Sequence, residues 1–104
     1  MKSAMAIQCL PQGLGEKKEI YRAVDKAIEA IEASGLPYTV GPFETVIEGP
    51  LDSLTEIARA AHQAAAEAAL EAGGTGAATY IKLFSSPDLG SSEEKTAKYR
   101  AKGH

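Results

Sequence analysis

The chain has 104 residues, room for one domain around one core. Its hydrophobic fraction of 44% is ordinary for a folded globular protein, and its formal net charge of −3 argues against a general affinity for the polyanionic backbone of nucleic acid. No apolar run approaches the roughly 20 residues of a membrane helix. The opening Met1-Lys2-Ser3-Ala4-Met5-Ala6-Ile7-Gln8 has one Lys and a short apolar stretch broken by Gln8, so it reads as a strand rather than a signal peptide. Cys9 has no internal disulfide partner. One Cys with two His is too few for a structural zinc site, so no metal is expected and a reducing cytoplasm is the expected location.

The predicted elements follow in chain order. Residues 4–10 read as a first strand ended by Pro11, and Pro11-Gln12-Gly13-Leu14-Gly15 reads as a turn. Residues 16–34 read as a helix with Ile20, Val24, Ala27, Ile28 and Ile31 on one apolar stripe. Gly35 is its left-handed stop, and Pro37 prevents continuation. Residues 38–40 and 44–48 are short strands whose Gly-Pro corner implies an antiparallel hairpin. Gly49-Pro50 opens a second helix to about Ala72, with Pro50 suited to its first turn. Ser53 and Glu56 have capping-box spacing, which allows a slightly later start. The stripe there is Leu54, Ile57 or Ala58, Ala61, Ala65 and Ala68. Residues 77–84 read as a fourth strand, 85–90 as a loop and 91–101 as a short tail helix capped by Ser91 and Glu94.

The order β-α-β-β-α-β is the ferredoxin-like α+β pattern, a single domain with its core over about residues 4–84. Two helices cover one face of a four-stranded antiparallel sheet, and the other face is left bare. Alternation puts Thr79, Ile81 and Leu83 on one side of the last strand and Ala78, Tyr80, Lys82 and Phe84 on the other. The bare face then collects Gln8, Glu44, Glu48, Tyr80 and Lys82, with Leu10, Val46 and Phe84 among them. Glu44 and Glu48, four residues apart on a strand, share that side. Acids there are awkward to bury without a partner. A mixture of apolar and hydrogen-bonding groups suits an assembly interface with a small polar pocket. A Lys–Glu pair across strands is equally an ordinary device of sheet stability.

Other residues have plain readings. His62 sits beside the apolar stripe as a boundary residue. Cys9 is a small apolar residue with no evident His partner to activate it. Gly13 and Gly15 lack the Lys-Ser/Thr of a phosphate loop. Lys95, Lys98, Arg100 and Lys102 form a solvated helix face.

Ser34-Gly35-Leu36-Pro37-Tyr38, Gly41-Pro42-Phe43-Glu44-Thr45-Val46-Ile47-Glu48-Gly49 and Tyr80-Ile81-Lys82-Leu83 together resemble the small thiamine-binding proteins of the YkoF-like class. The ordered set is S-G-L-x-Y, E-T-x-I-E-G and T-x-I-K, and the resemblance runs from about Ala4 to Leu83. It implies a ferredoxin-like fold and homodimers or homotetramers built through the sheets. It implies thiamine or its hydroxymethylpyrimidine portion as ligand, with no catalysis and no catalytic cofactor. In that setting a carboxylate such as Glu48 accepts from the pyrimidine's exocyclic amine or offsets the thiazolium charge. Tyr38 or Tyr80 supplies an aromatic face. Gln8 and Thr45 complete the hydrogen bonds, and Glu44 and Lys82 are the remaining candidates. Alternation puts Thr45 on the side opposite Glu48, so both contribute only where the Gly-Pro corner distorts the strand or the pocket lies at its edge.

Rival functions of the same fold lack their residues. An acylphosphatase-like enzyme needs an Arg in the loop after the first strand and an Asn; residues 11–15 hold no Arg, and the chain has no Asn. An RNA-recognition domain carries aromatics on its central strands, and residues 4–10 have none. The alternative that stays open is a regulatory or scaffold oligomer of this fold with a different small-molecule effector.

Overall fold

Alternation along the first strand decides which side of the sheet becomes the core. In the computed structural model, which describes Met1–Pro87, β1 (Lys2–Gln12) buries Ser3, Met5 and Ile7 toward the helices. Ala6 and Gln8, which alternate with them, point to the other face and are half-buried. The remaining elements are α1 (Lys17–Glu32), β2 (Tyr38–Val40), β3 (Thr45–Gly49), α2 (Leu51–Glu71) and β4 (Gly76–Ser86). The strands form one antiparallel sheet in the order β2-β3-β1-β4, with β1 and β3 inside. This is the expected ferredoxin-like arrangement. The tail helix expected at 91–101 and the lysine cluster on it lie outside the described residues.

β1 is longer than its apolar run suggested, because Pro11 lies within it, opposite Ala77. β3 pairs with β1 only from Ser3 to Ile7. Beyond Ile7 the strand has a neighbour on one side only, and a residue without an N–H is accommodated there. β4 likewise continues through Ser85 and Ser86, where a loop was expected; Ser3 and Ser85 are cross-strand partners, their hydroxyls 2.7 Å apart.

The helices start and stop on backbone geometry. Neither has a side-chain hydrogen bond at its N-cap, so the Ser53/Glu56 capping box is not formed: α2 starts earlier, with the Leu54 amide donating to the Pro50 carbonyl at 3.0 Å. α1 ends where the Ser34 hydroxyl donates to the Ile31 carbonyl at 2.6 Å and Gly35 turns to φ 76°. That left-handed conformation costs a glycine little.

The core joins Met5, Ile7 and Ile47 of the sheet to Ala27 and Ile31 of α1 and to Leu54, Ile57, Ala58, Ala61 and Ala65 of α2. Both options at 57/58 are used, and the stripe of α2 ends on Ala69 rather than Ala68. On α1 the buried line is Ala23, Ala27 and Ile31, with Ile20, Val24 and Ile28 at its margin. Small side chains let the helices approach closely, while Met5, Ile31, Ile47 and Leu54 fill the space between layers. Each of these four stabilises the fold by about 1.5–3 kcal/mol through removal from water.

Candidate functional site

The face away from the helices is organised by register. β1 lies between β3 and β4, so as far as Ile7 each residue on this face of β1 has one neighbour on either side. Ala4 stands between Glu48 and Phe84, and Ala6 between Val46 and Lys82. Gln8 stands opposite Tyr80, and Glu44 reaches the same level from the turn before β3. The result is a trough with an alanine floor along β1 and polar or aromatic walls. Among the described residues, no helix covers it.

Glu44 is set by the hairpin. The Gly41 amide donates to the Glu44 carbonyl at 3.0 Å, closing the turn. A Cβ on Gly41 would stand 2.9 Å from that carbonyl oxygen, so the close approach requires glycine. The Glu44 carboxylate is then held across β1, 3.5 Å from the Lys82 ammonium. The small side chain of Ala6 leaves the space between them open. Gln8, Glu44, Tyr80, Ile81 and Lys82 line a recess of about 390 Å³. This collects a carboxylate, an ammonium, a carboxamide and a phenol ring in one place. Such a set can hold a planar, amine-bearing ring by hydrogen bonds and ring contact.

Of the seven residues singled out in the sequence, four meet in this recess: Gln8, Glu44, Tyr80 and Lys82. Glu48 shares their face at the other end of the trough, level with Ala4. Four residues of β1 separate it from the Gln8 level, roughly 13 Å. The structure places Tyr38 and Thr45 on the other side of the sheet, away from this recess. Tyr38 pairs with Ile47 on the helix side, and its hydroxyl donates to a Glu32 carboxylate oxygen at 3.1 Å. That bond, then burial and the negative charge of Glu32, push the Tyr38 phenol up from its ordinary value. Thr45 is buried on the helix side, opposite Ile7. The turn does not twist β3 enough to bring it round to Glu48.

The helix side holds features that sequence reasoning missed. His62 is more than a boundary residue: its Nδ1 lies 2.6 Å from the Thr79 hydroxyl and ties α2 to β4. Cys9 is the cross-strand partner of Thr79. Burial pushes the Cys9 thiol up from its ordinary value, and a hydrogen bond with Thr79 opposes that only in part. A thiol so held is a poor nucleophile at neutral pH. A second recess, about 410 Å³ and mainly apolar, runs between α2 and β4, with Ala58 and His62 on one wall and Ile81 and Leu83 on the other. The signal for it was present in Ile81 and Leu83, two large apolar side chains on a strand that proves to be an edge. Among the described residues no group of three or more His, Cys, Asp or Glu could hold a metal ion. None of their helices is long and apolar enough to cross a membrane.

Fold and recess together define a small ferredoxin-like domain with a polar ligand-sized site on its uncovered sheet face. Residues 5–100 match the family described as thiamine-binding protein, and the chain belongs to that family. A UPF0045 protein of Clostridium perfringens is 34% identical over 96 residues, covering 92% of this chain and 95% of the relative. Among solved structures, a DUF77 domain from Bacillus cereus is 35% identical with a TM-score of 0.72, over 98% of this chain and 93% of its own. A candidate thiamine biosynthesis/salvage protein of Thermotoga maritima superposes with a TM-score of 0.75 at 23% identity, over 96% of this chain and all of its own, and so bears on the fold.

Proposed function

We propose that this protein is a non-catalytic binder of thiamine, or of its hydroxymethylpyrimidine portion, acting in the cytoplasm in salvage, transport or buffering of the vitamin. The observation that carries the reading is the convergence of Gln8, Glu44, Tyr80 and Lys82 on one recess, in a chain of the thiamine-binding family. Glu44 is the acceptor for the exocyclic amine or the counter-charge for the thiazolium. Tyr80, 63% exposed, offers its ring to either heterocycle. Gln8 supplies both a donor and an acceptor from the floor. Glu48 shares this face at the far end of the trough, beyond the second ring of a thiamine whose first ring meets Glu44. Tyr38 and Thr45 take structural roles, the first anchoring the hairpin to α1 and the second filling the core.

The trough also suits a second copy, and we assign self-association to a dimer or tetramer through this face. Val46, Leu10 and Phe84 provide the apolar part of such an interface, and the recess becomes enclosed when two sheets stack.

Calorimetry with thiamine tests the ligand reading. Saturable heat with one site per chain, weakened by Glu44→Gln, is expected. No heat and no thermal shift at millimolar thiamine would remove it and favour a ferredoxin-like scaffold with another effector.

A further inference from the structure

The two ends of the trough differ. At the end away from the recess a row crosses the sheet: Glu48 on β3, Ala4 on β1 and Phe84 on β4. Ala4 is 9% exposed, the most buried of the described residues on this face, whereas Ala6 and Gln8 further along β1 are half-buried. Phe84 stands 55% exposed, so its ring does not account for a methyl group closed off from water. Of the described lysines on this face, Lys82 is drawn to Glu44 and Lys2 lies exposed at the tip of β1. A carboxylate, a shielded methyl and an aromatic ring in one line suit a partner that brings cations and a ring of its own.

We propose that the chain's own C-terminal segment, residues 88–104, folds back over this end of the sheet. It sets Lys95, Lys98 and Lys102 toward Glu48 and lays Tyr99 over Ala4. The place where the segment begins favours this. β4 ends at Ser86, opposite Lys2, two residues beyond the Glu48–Ala4–Phe84 row, and Pro87 has no N–H with which to extend the ladder. Its residue spacing agrees. Positions 95, 98, 99 and 102 stand at i, i+3, i+4 and i+7, one stripe of the helix that the sequence expects from 91 onward. That stripe is apolar on an ordinary amphipathic helix; here it is three ammonium groups and a phenol ring. Glu93, Thr96 and Arg100 fall on the opposite side, toward water. Lysine stems can lie along apolar surface while their heads reach a carboxylate. The reach is sufficient: eleven residues of helix span about 16 Å, and the two strand spacings from β4 to β3 are about 10 Å.

The other resting place within reach is the groove between α2 and β4, and its chemistry does not match. Ala58, Ile81 and Leu83 call for apolar side chains that the stripe lacks, and Arg59 at the rim repels lysines. With the segment over Ala4, the trough is closed at the Glu48 end and open at the Gln8 end. Glu48 becomes an anchor for the tail, and the recess of Gln8, Glu44, Tyr80 and Lys82 becomes the trough's mouth. Leu10 and Val46 lie toward that mouth and stay available to a stacked copy. The placement is independent of the ligand's identity.

The test is zero-length carbodiimide cross-linking of the full chain, followed by peptide mass spectrometry. A carboxylate joins only an amine in contact with it, so Glu48 should be linked to Lys95, Lys98 or Lys102. An equal mixture of nitrogen-15-labelled and unlabelled protein should give that link within single chains, without mixed-isotope pairs. In the same unmodified protein, the Ala4 methyl and the Tyr99 ring should show a nuclear Overhauser contact. Glu48→Lys should abolish the link and speed trypsin cleavage at Lys95 and Lys98 severalfold, while retaining the far-ultraviolet circular dichroism of the fold. Should Glu48→Lys fold poorly, the link and the Overhauser contact are still read on the unmodified chain. Tail lysines linked instead to Glu56, Glu67 or Glu71 of α2 would overturn the proposal. So would links found only between chains, links from Glu48 to Lys2 alone, or the absence of both link and Overhauser contact.

Discussion

Lys82→Met tests the electrostatics of the recess most sharply, because the account assigns that lysine opposite effects on folding and on binding. The ammonium lies 3.5 Å from the Glu44 carboxylate, with side-chain exposures of 79% and 38%. An ion pair so open to water contributes about 0.2–1 kcal/mol, so loss of the charge should lower the melting temperature by only a few degrees. A thiazolium drawn to Glu44 has Lys82 as a competitor. Two like charges about 5 Å apart, in surroundings between water and protein surface, repel by about 1 kcal/mol, close to a fivefold change in Kd. Lys82→Met should therefore tighten thiamine about fivefold, and Glu44→Gln should weaken it by a similar or larger factor. Neutral hydroxymethylpyrimidine should respond to Glu44→Gln and be nearly indifferent to Lys82→Met. Added salt should shrink the thiamine differences. Isothermal titration of both ligands against the two variants reads all of this. Thiamine bound more weakly by Lys82→Met than by the parent protein would refute the placement of a cation beside Glu44.

Four further outcomes follow. Gly41→Ala should weaken thiamine more than it destabilises the fold, since a Cβ 2.9 Å from the Glu44 carbonyl displaces Glu44 from the recess; calorimetry beside a melting curve separates the two effects. Tyr38→Phe should leave thiamine affinity unchanged and shift the midpoint of a denaturant titration little, because the bond to Glu32 is exposed and lies on the helix side. Ala61→Leu should cost about 1–3 kcal/mol by overpacking a fully buried position, read as a lower urea midpoint at constant slope. Cys9 should alkylate more slowly in the folded protein than in urea, with a rate-against-pH midpoint above that of an ordinary thiol. The same raised value gives the sign of its stability effect. The neutral thiol's contribution is complete below the unfolded-state value and lost as pH rises through the folded one.

The architecture was legible because each element carries its own period. Met5, Ile7, Ile31, Ile47 and Leu54 fall on the faces that strand and helix alternation assign, and Gly35 and Pro37 end α1 where their backbone preferences require. Boundaries shifted where a tertiary neighbour, and not a local preference, decided. Pro11 stays in β1 because β3 has already ended, and Ser53 caps nothing because α2 has begun at Leu51. Four residues of the recess were legible from parity alone. The side taken by Tyr38 was not legible, because an aromatic beside a turn gives no sign of it until register pairs Tyr38 with Ile47. The His62–Thr79 contact joins residues 17 apart on a helix and a strand, and no spacing within either segment encodes it.

The central claim is that the vitamin sits on the uncovered sheet face over β1. Amide and side-chain chemical-shift changes on titrating isotopically labelled protein with thiamine locate it directly. The account predicts the largest changes at Gln8, Glu44, Tyr80 and Lys82, smaller ones at Ala6, and almost none at Tyr38 and Thr45. Changes centred on Ala58, His62 and Leu83, or no changes at saturating thiamine, would contradict it.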